Sequence, residues 1–159
     1  MKDNIQTFKL AEPVANAVVY SNGDEPCFVD MNGNGQLYPT LYTIWRCPAC
    51  LPALAIQAPV SKFVVKGSDL MLPGVAFGID GGPFAAPEDM PEFQQGSGML
   101  VFCIGNPMPI AVGEMLISKQ EAIASGMKGK ACKVRHALQG PAWFVSYWKL
   151  AFDVSMAAR

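Results

Sequence analysis

The sequence predicts an α+β fold in two parts, and three observations carry that reading. Residues 17–35 place short apolar runs between the turn signals Ser21-Asn22-Gly23-Asp24 and Asn32-Gly33-Asn34-Gly35, the pattern of a small antiparallel meander. Pro48 and Pro52 then interrupt the chain and mark a boundary around residues 46–58. Beyond it, Val60–Val75 compress a short helix, a glycine, an apolar triplet and Pro73-Gly74 into one compact stretch.

Bulk properties bound the answer. The 159 residues suit one domain of ordinary size or two small ones, and the 51% hydrophobic content supports a packed core. A net charge of −1 does not by itself announce a nucleic-acid binder. Five cysteines, an odd number without the spacing of a secreted disulfide scaffold, point to a reducing, cytoplasmic location. The first residues, Met1 to Gln6, lack the apolar core of a secretory signal, and no stretch approaches the ~18 apolar residues of a membrane span.

Each element has a local reason. Ile5–Leu10, Ala17–Tyr20 and Cys27–Val29 read as three short strands, too thin a core to stand alone. Leu37–Trp45 is expected to be the helix they pack on. Pro39 is placed at its start, Leu41, Ile44 and Trp45 share a face, and Tyr42 and Trp45 are read as buried packing. The helix should end near Cys47-Pro48. A second helix is expected near residues 60–66, with Pro59 at its first position, Val60, Phe63 and Val64 at helical spacing, and Gly67 as its left-handed stop. Leu70-Met71-Leu72 reads as a strand. Phe77–Gly98, rich in glycine and proline and carrying Glu88, Asp89 and Glu92, reads as a surface loop rather than packed structure. Met99–Ile104 and Pro109–Ile117 form a hairpin, with Gly113 where a side chain is unwelcome. Ser118-Lys119-Gln120-Glu121 is a capping box opening a helix to about Ser125. Trp143–Trp148 is a final strand.

Charge is distributed unevenly. From Met115 to Lys149 the basic residues Lys119, Lys128, Lys130, Lys133, Arg135 and Lys149 face Glu121 alone. Such clustering is what phosphate neutralisation needs. In a strand, Lys133 and Arg135 share one face and Cys132, Val134 and His136 the other. His136, the single histidine, has no evident catalytic partner and is read as a hydrogen-bonded core residue.

Leu37-Tyr38-Pro39-Thr40-Leu41-Tyr42-Thr43-Ile44-Trp45, then Leu51-Pro52, then Asp69-Leu70-Met71-Leu72-Pro73-Gly74 carry a specific resemblance. The chain over residues 4–148 resembles the family of ligatin, eukaryotic translation initiation factor 2D, and less closely the malignant T-cell-amplified sequence family. The resemblance implies a small, partial α/β (pre-PUA) domain at 1–50, a linker at 51–58, a PUA-type β-barrel at 59–148 with a loop insertion at 77–98, and a tail at 149–159. It implies a non-catalytic RNA-binding translation-factor module. The expected partners are the small ribosomal subunit and its rRNA, with tRNA beside it, in unconventional initiation or post-termination recycling. The family's further C-terminal domains are absent, so a shortened protein, a fragment or a subunit needing a separate protein partner is expected. The resemblance also carries the RNA-contacting surface of PUA domains onto Lys62, Lys66, Gly67, Leu70, Met71 and Gly74, to which the basic segment adds Lys128, Lys130, Lys133 and Arg135. Gly140-Pro141 stands where the family has an acidic residue before a tryptophan, here Trp143.

Two other functions are open. A PUA domain also serves as a targeting subunit for RNA modification. Cys47-Pro48-Ala49-Cys50 has the spacing of a thiol redox pair, but it follows a helix rather than opening one. Cys27, Cys103, Cys132 and His136 offer no second close pair for zinc, so neither a metal nor another cofactor is expected. No phosphate-binding glycine loop, dinucleotide fingerprint or nucleophile elbow occurs.

Overall fold

The structure, a computed structural model, describes residues 5–9 and 16–138. The first sheet is an antiparallel meander in the order β1 (Ile5–Lys9), β2 (Val18–Asn22), β3 (Glu25–Asp30), β4 (Leu37–Pro39). Val19, Val29 and Tyr38 lie opposite one another across β2, β3 and β4 and bury together on one face. The turn between β3 and β4 is gathered by one side chain. The Asp30 carboxylate accepts from the backbone amides of Asn32, Gly33 and Gly35, which is how a carboxylate tolerates burial there.

The helix expected from Leu37 begins later. Leu37–Pro39 is the edge strand β4, and α1 spans Leu41–Arg46. Thr40 caps it: its Oγ accepts from the Thr43 amide at 3.4 Å and donates to the Pro26 carbonyl at 2.7 Å. One hydroxyl thus starts the helix and ties it to β3. Pro39, lacking an N–H, is tolerated because β4 is an edge.

The second sheet has the order β5-β7-β8-β9-β6, with β5 (Ala53–Ile56), β6 (Leu70–Met71), β7 (Gly98–Cys103), β8 (Ala111–Met115) and β9 (Lys130–Ala137). β5 runs parallel to β7, and the remaining pairs are antiparallel. The sheet curls toward closure. After β6, a 3-10 turn at Leu72–Gly74 leads Val75 and Ala76 back to β5, where Ile56 bridges Val75 and the Ala76 amide donates to the Ala55 carbonyl at 2.9 Å. Leu54, Ile56, Leu70, Leu72, Met99, Val101 and Met115 fill the interior. The helices α2 (Ala58–Val64) and α3 (Lys119–Ala124) lie where helices were expected. The capping box at α3 is present: Ser118 Oγ accepts from the Glu121 amide, and Glu121 reaches back to the Ser118 amide at 2.8 Å.

Two expectations change. Residues 51–58, expected as a linker, contain β5, an integral strand of the curled sheet; the prolines at 52 and 59 bracket an apolar run that buries Leu54 and Ile56 completely. The 77–98 segment is irregular apart from a 3-10 turn at Pro87–Asp89, but it is packed, burying Phe84, Met90 and Phe93 in the main core. One of its carboxylates, Glu92, is paired: Lys119 Nζ lies 2.8 Å from it and 2.7 Å from the Met90 carbonyl. The expected strand at 143–148, with Gly140-Pro141, lies outside the described residues.

The two sheets meet through α1. Ile44 packs on Leu100 and Val112, on the face of β7 and β8 opposite the main core. Trp45 Nε1 donates to the Pro109 carbonyl at 3.0 Å, and its ring meets Tyr42 edge-on at 5.7 Å. His136 is buried, and its Nδ1 accepts from the Leu41 amide at 3.2 Å. That amide is one of the orphan donors at the start of α1, so the histidine is a core residue joining the domains.

Candidate nucleic-acid interface

The candidate surface starts at α2. Pro59 sits in its first turn, where a missing N–H is harmless. Gly67, at φ +90°, stops the helix in the left-handed region; its amide donates to Val64, and the Ser68 amide reaches the Phe63 carbonyl at 3.2 Å. The chain then reverses through Asp69 into β6. There Leu70 lies opposite Cys132, Met71 opposite Lys130, and the Leu72 amide donates to the Gly129 carbonyl at 2.9 Å. The β6–β9 ladder therefore sets residues 70–72 beside 129–132, although about sixty residues separate them in sequence.

The ten expected residues fall into distinct positions. Lys62, Lys66, Lys128, Lys130 and Lys133 are exposed. Met71 is 44% exposed, whereas Leu70 is fully buried and offers only its backbone. Gly74 is also buried, and a Cβ there would come within 3.0 Å of Val60, so this glycine lets α2 approach the turn after β6. Lys130 Nζ is 3.0 Å from Asp69 Oδ2, and Lys62 Nζ stands 5.0 Å from the centre of the Phe63 ring.

Arg135 does not join this face. The register of β8 against β9 slips between Val112↔His136 and Gly113↔Val134, so Arg135 is the extra residue of a bulge. Strict alternation fails at that point. Arg135 Nη2 reaches Glu114 Oε2 at 2.6 Å, the same oxygen that accepts from the Tyr38 hydroxyl at 2.6 Å. The guanidinium also lies 5.5 Å from the Tyr38 ring. The Tyr38 hydroxyl, and then Arg135, hold the Glu114 carboxyl below the usual carboxylate range. This cluster joins β4 to β8 and β9, and its arginine is already occupied.

Phe63, Ser68 and Asp69 were not anticipated as surface features. Together with Met71 they border a groove of about 420 Å³ between α2 and β6. Phe63 is 56% exposed because α2 is too short to bury more than Val64 completely. The helical spacing that pointed Phe63 inward was the signal that misled. Elsewhere, Cys47 and Cys50 are exposed free thiols, with Cys47 at the C-terminal end of α1. Partial desolvation, even at this exposed position, and then the neighbouring Cys47 push the Cys50 thiol upward. Among the described residues no three His, Cys, Asp or Glu side chains gather as a metal site.

A curled mixed sheet with two short helices, carrying a four-stranded meander on its outer side, defines a PUA-type barrel preceded by a pre-PUA domain. Comparisons agree in sequence and in shape. Residues 51–140 match the family model described as the PUA domain of eIF2D, and residues 1–48 match the Pre-PUA-like domain. The chain belongs to the eIF2D PUA-domain family. It is 37% identical over 143 residues to eukaryotic translation initiation factor 2D of Rattus norvegicus, covering 89% of this chain and 23% of that protein. It is 28% identical to translation machinery-associated protein 20 of Eremothecium gossypii, covering 89% of this chain and 72% of that one. The fold is shared with a hypothetical protein of Pyrococcus horikoshii (TM-score 0.66, 18% identity, 91% and 80% covered). It is also shared with a conserved PUA-domain protein of Thermoplasma acidophilum (TM-score 0.59, 21% identity, 84% and 75% covered). The chain thus spans about a quarter of the length of the initiation-factor relatives it matches.

Proposed function

We propose that this chain is a non-catalytic RNA-binding module of a cytoplasmic translation factor. It binds the small ribosomal subunit, with tRNA as a further ligand, during unconventional initiation or recycling. The supporting observation is the β6–β9 ladder, which pairs the strand after the Gly67 turn with the 130–132 stretch. Exposed lysines flank both, Lys62 and Lys66 before the turn and Lys128, Lys130 and Lys133 along the second stretch, a composition suited to phosphates. The names of the relatives support translation as the setting. Redox chemistry at Cys47 and Cys50 is disfavoured by the place of Cys47 at the C-terminal end of a helix, where the helix dipole does not stabilise a thiolate.

Sedimentation through sucrose tests the reading. The purified chain is expected to travel with isolated small subunits, to be released by excess tRNA and by raised salt, and to ignore large subunits. A chain that stays at the top of the gradient at low salt with every RNA contradicts it.

A further inference from the structure

The chain contains three asparagine–glycine pairs, Asn22-Gly23, Asn32-Gly33 and Asn34-Gly35. An asparagine before glycine is labile, because no side chain on the next residue shields the backbone nitrogen that attacks it. All three asparagines are exposed, so access to water does not distinguish them. Hydrogen bonding does. The amides of Gly33 and Gly35 both donate to the buried Asp30 carboxylate, Gly33 at 2.7 Å to Oδ1 and Gly35 to Oδ2. The Asn34 side chain is held as well, its Oδ1 accepting from the Gln36 amide at 3.1 Å. Gly23 stands instead at the tip of the β2–β3 hairpin, between Asn22 and Glu25, which pair across it. Among the described residues its amide makes no hydrogen bond.

We propose that Asn22 is a deamidation site and that Asp30 protects Asn32 and Asn34 from the same reaction. The Gly23 nitrogen gives its proton to hydroxide and attacks the Asn22 side-chain carbonyl carbon. The bond from that carbon to the side-chain nitrogen breaks, ammonia leaves with a proton taken from water, and a five-membered succinimide closes. Water then opens either carbonyl of the ring, leaving aspartate or isoaspartate. The net exchange is one water in and one ammonia out, with no change of oxidation state. At Gly33 and Gly35 the first step must break a bond to a carboxylate and set a negative nitrogen against it. The product bears on the hairpin. Asn22 lies opposite Glu25, whose carboxylate pairs with Arg46 of α1 at 2.8 Å. Aspartate at position 22 places like charges across that closing pair, and isoaspartate also adds a carbon to the backbone of β2.

The test follows the mass gain of deamidation in the whole chain incubated in mildly alkaline buffer. Tryptic digestion leaves all three pairs in one peptide, residues 10–46, and fragment-ion masses assign the position. In the folded wild type Asn22 should convert at least about tenfold faster than Asn32 or Asn34, the scale of a hydrogen bond to a charged group. In urea, where the Asp30 contacts are gone, the three rates should lie within about threefold of one another. In Asp30→Ala, with folding checked by circular dichroism, Asn32 and Asn34 should rise to within about threefold of Asn22. Equal rates at the three positions in the folded wild type, or conversion of Asn32 or Asn34 ahead of Asn22, overturns the proposal. A gap that persists in urea overturns it too, since the preference then belongs to the local sequence. Slow Asn32 and Asn34 in a folded Asp30→Ala, or an Asn22 that stays intact in the folded chain while the urea sample converts, has the same force. If Asp30→Ala does not fold, the folded and urea rates of the wild type decide.

Discussion

Glu114 shows how one side chain can serve a domain junction. Its Oε2 takes hydrogen bonds from Tyr38 of the first sheet and from Arg135 of the second, both at 2.6 Å. Because those donors favour the ionised form, its folded pKa lies below its unfolded value. The stability it contributes is therefore present above the unfolded value, roughly 4.3 for a glutamate, and is lost as pH falls through the folded one. Glu114→Gln should lower stability by about 2 kcal/mol at neutral pH, the scale of a hydrogen bond to a charged group. Melting curves across pH check this: the gap between wild type and variant should narrow below about pH 4.3. None of this was readable from the sequence, because Tyr38 and Glu114 are 76 positions apart and the bulge at Arg135 breaks the alternation that a strand reading assumes. His136 was readable, since a lone histidine on an apolar face needs a hydrogen bond, and Leu41 provides it. The thiols give a second prediction at this scale. Replacing Cys47 and Cys50 together by serine should leave RNA binding within about threefold, because both are exposed free thiols and neither belongs to the proposed phosphate contacts. Stoichiometric zinc in the protein, lost in the double variant, would contradict that.

Among the elements, local signals worked where the physics is local. The Ser118–Glu121 capping box and the left-handed Gly67 each specify a helix end through a few neighbouring atoms, and both ends are where they were expected. β5 was missed because its pairing with β7 is parallel and its partner lies some forty-five positions away. Prolines on either side of an apolar run resemble a linker until that partner is known. The 77–98 loop misled for a similar reason: its composition is that of a surface segment, yet three scattered side chains bury. Gly113 was read as a place without room, and the geometry is severe. A Cβ there would lie 2.5 Å from the Lys133 carbonyl oxygen and closer still to the Cys132 sulfur, atoms held by β9 itself. Gly113→Ala should destabilise the protein by roughly 1–3 kcal/mol in urea unfolding, against about 1 kcal/mol for Thr40→Ala, which removes a helix cap. Equal and negligible losses would mean that β8 and β9 adjust freely.

At the scale of the whole molecule, closure of the curled sheet makes the candidate surface. Neither the 62–74 stretch nor the 128–133 stretch is a binding face alone. The Met71↔Lys130 pairing and the Leu72–Gly129 hydrogen bond set them side by side. The sequence contained both lysine groups but not the ladder that joins them, nor the ion pairs that occupy Lys119, Lys130 and Arg135. Net charge was uninformative for a related reason: Glu92, Asp69 and Glu114 pair locally with particular cations. The central claim is that Lys62, exposed on α2, and Lys66, exposed in the turn that follows it, neutralise phosphates on this face. The most direct measurement is the dependence of RNA affinity on salt concentration for the wild type and for Lys62→Glu/Lys66→Glu, with folding checked by circular dichroism. The double variant should bind more weakly, and its log–log salt slope should flatten by roughly one unit for each phosphate that is no longer neutralised. An intact fold with affinity and slope both unchanged would contradict the account and put the RNA on another face.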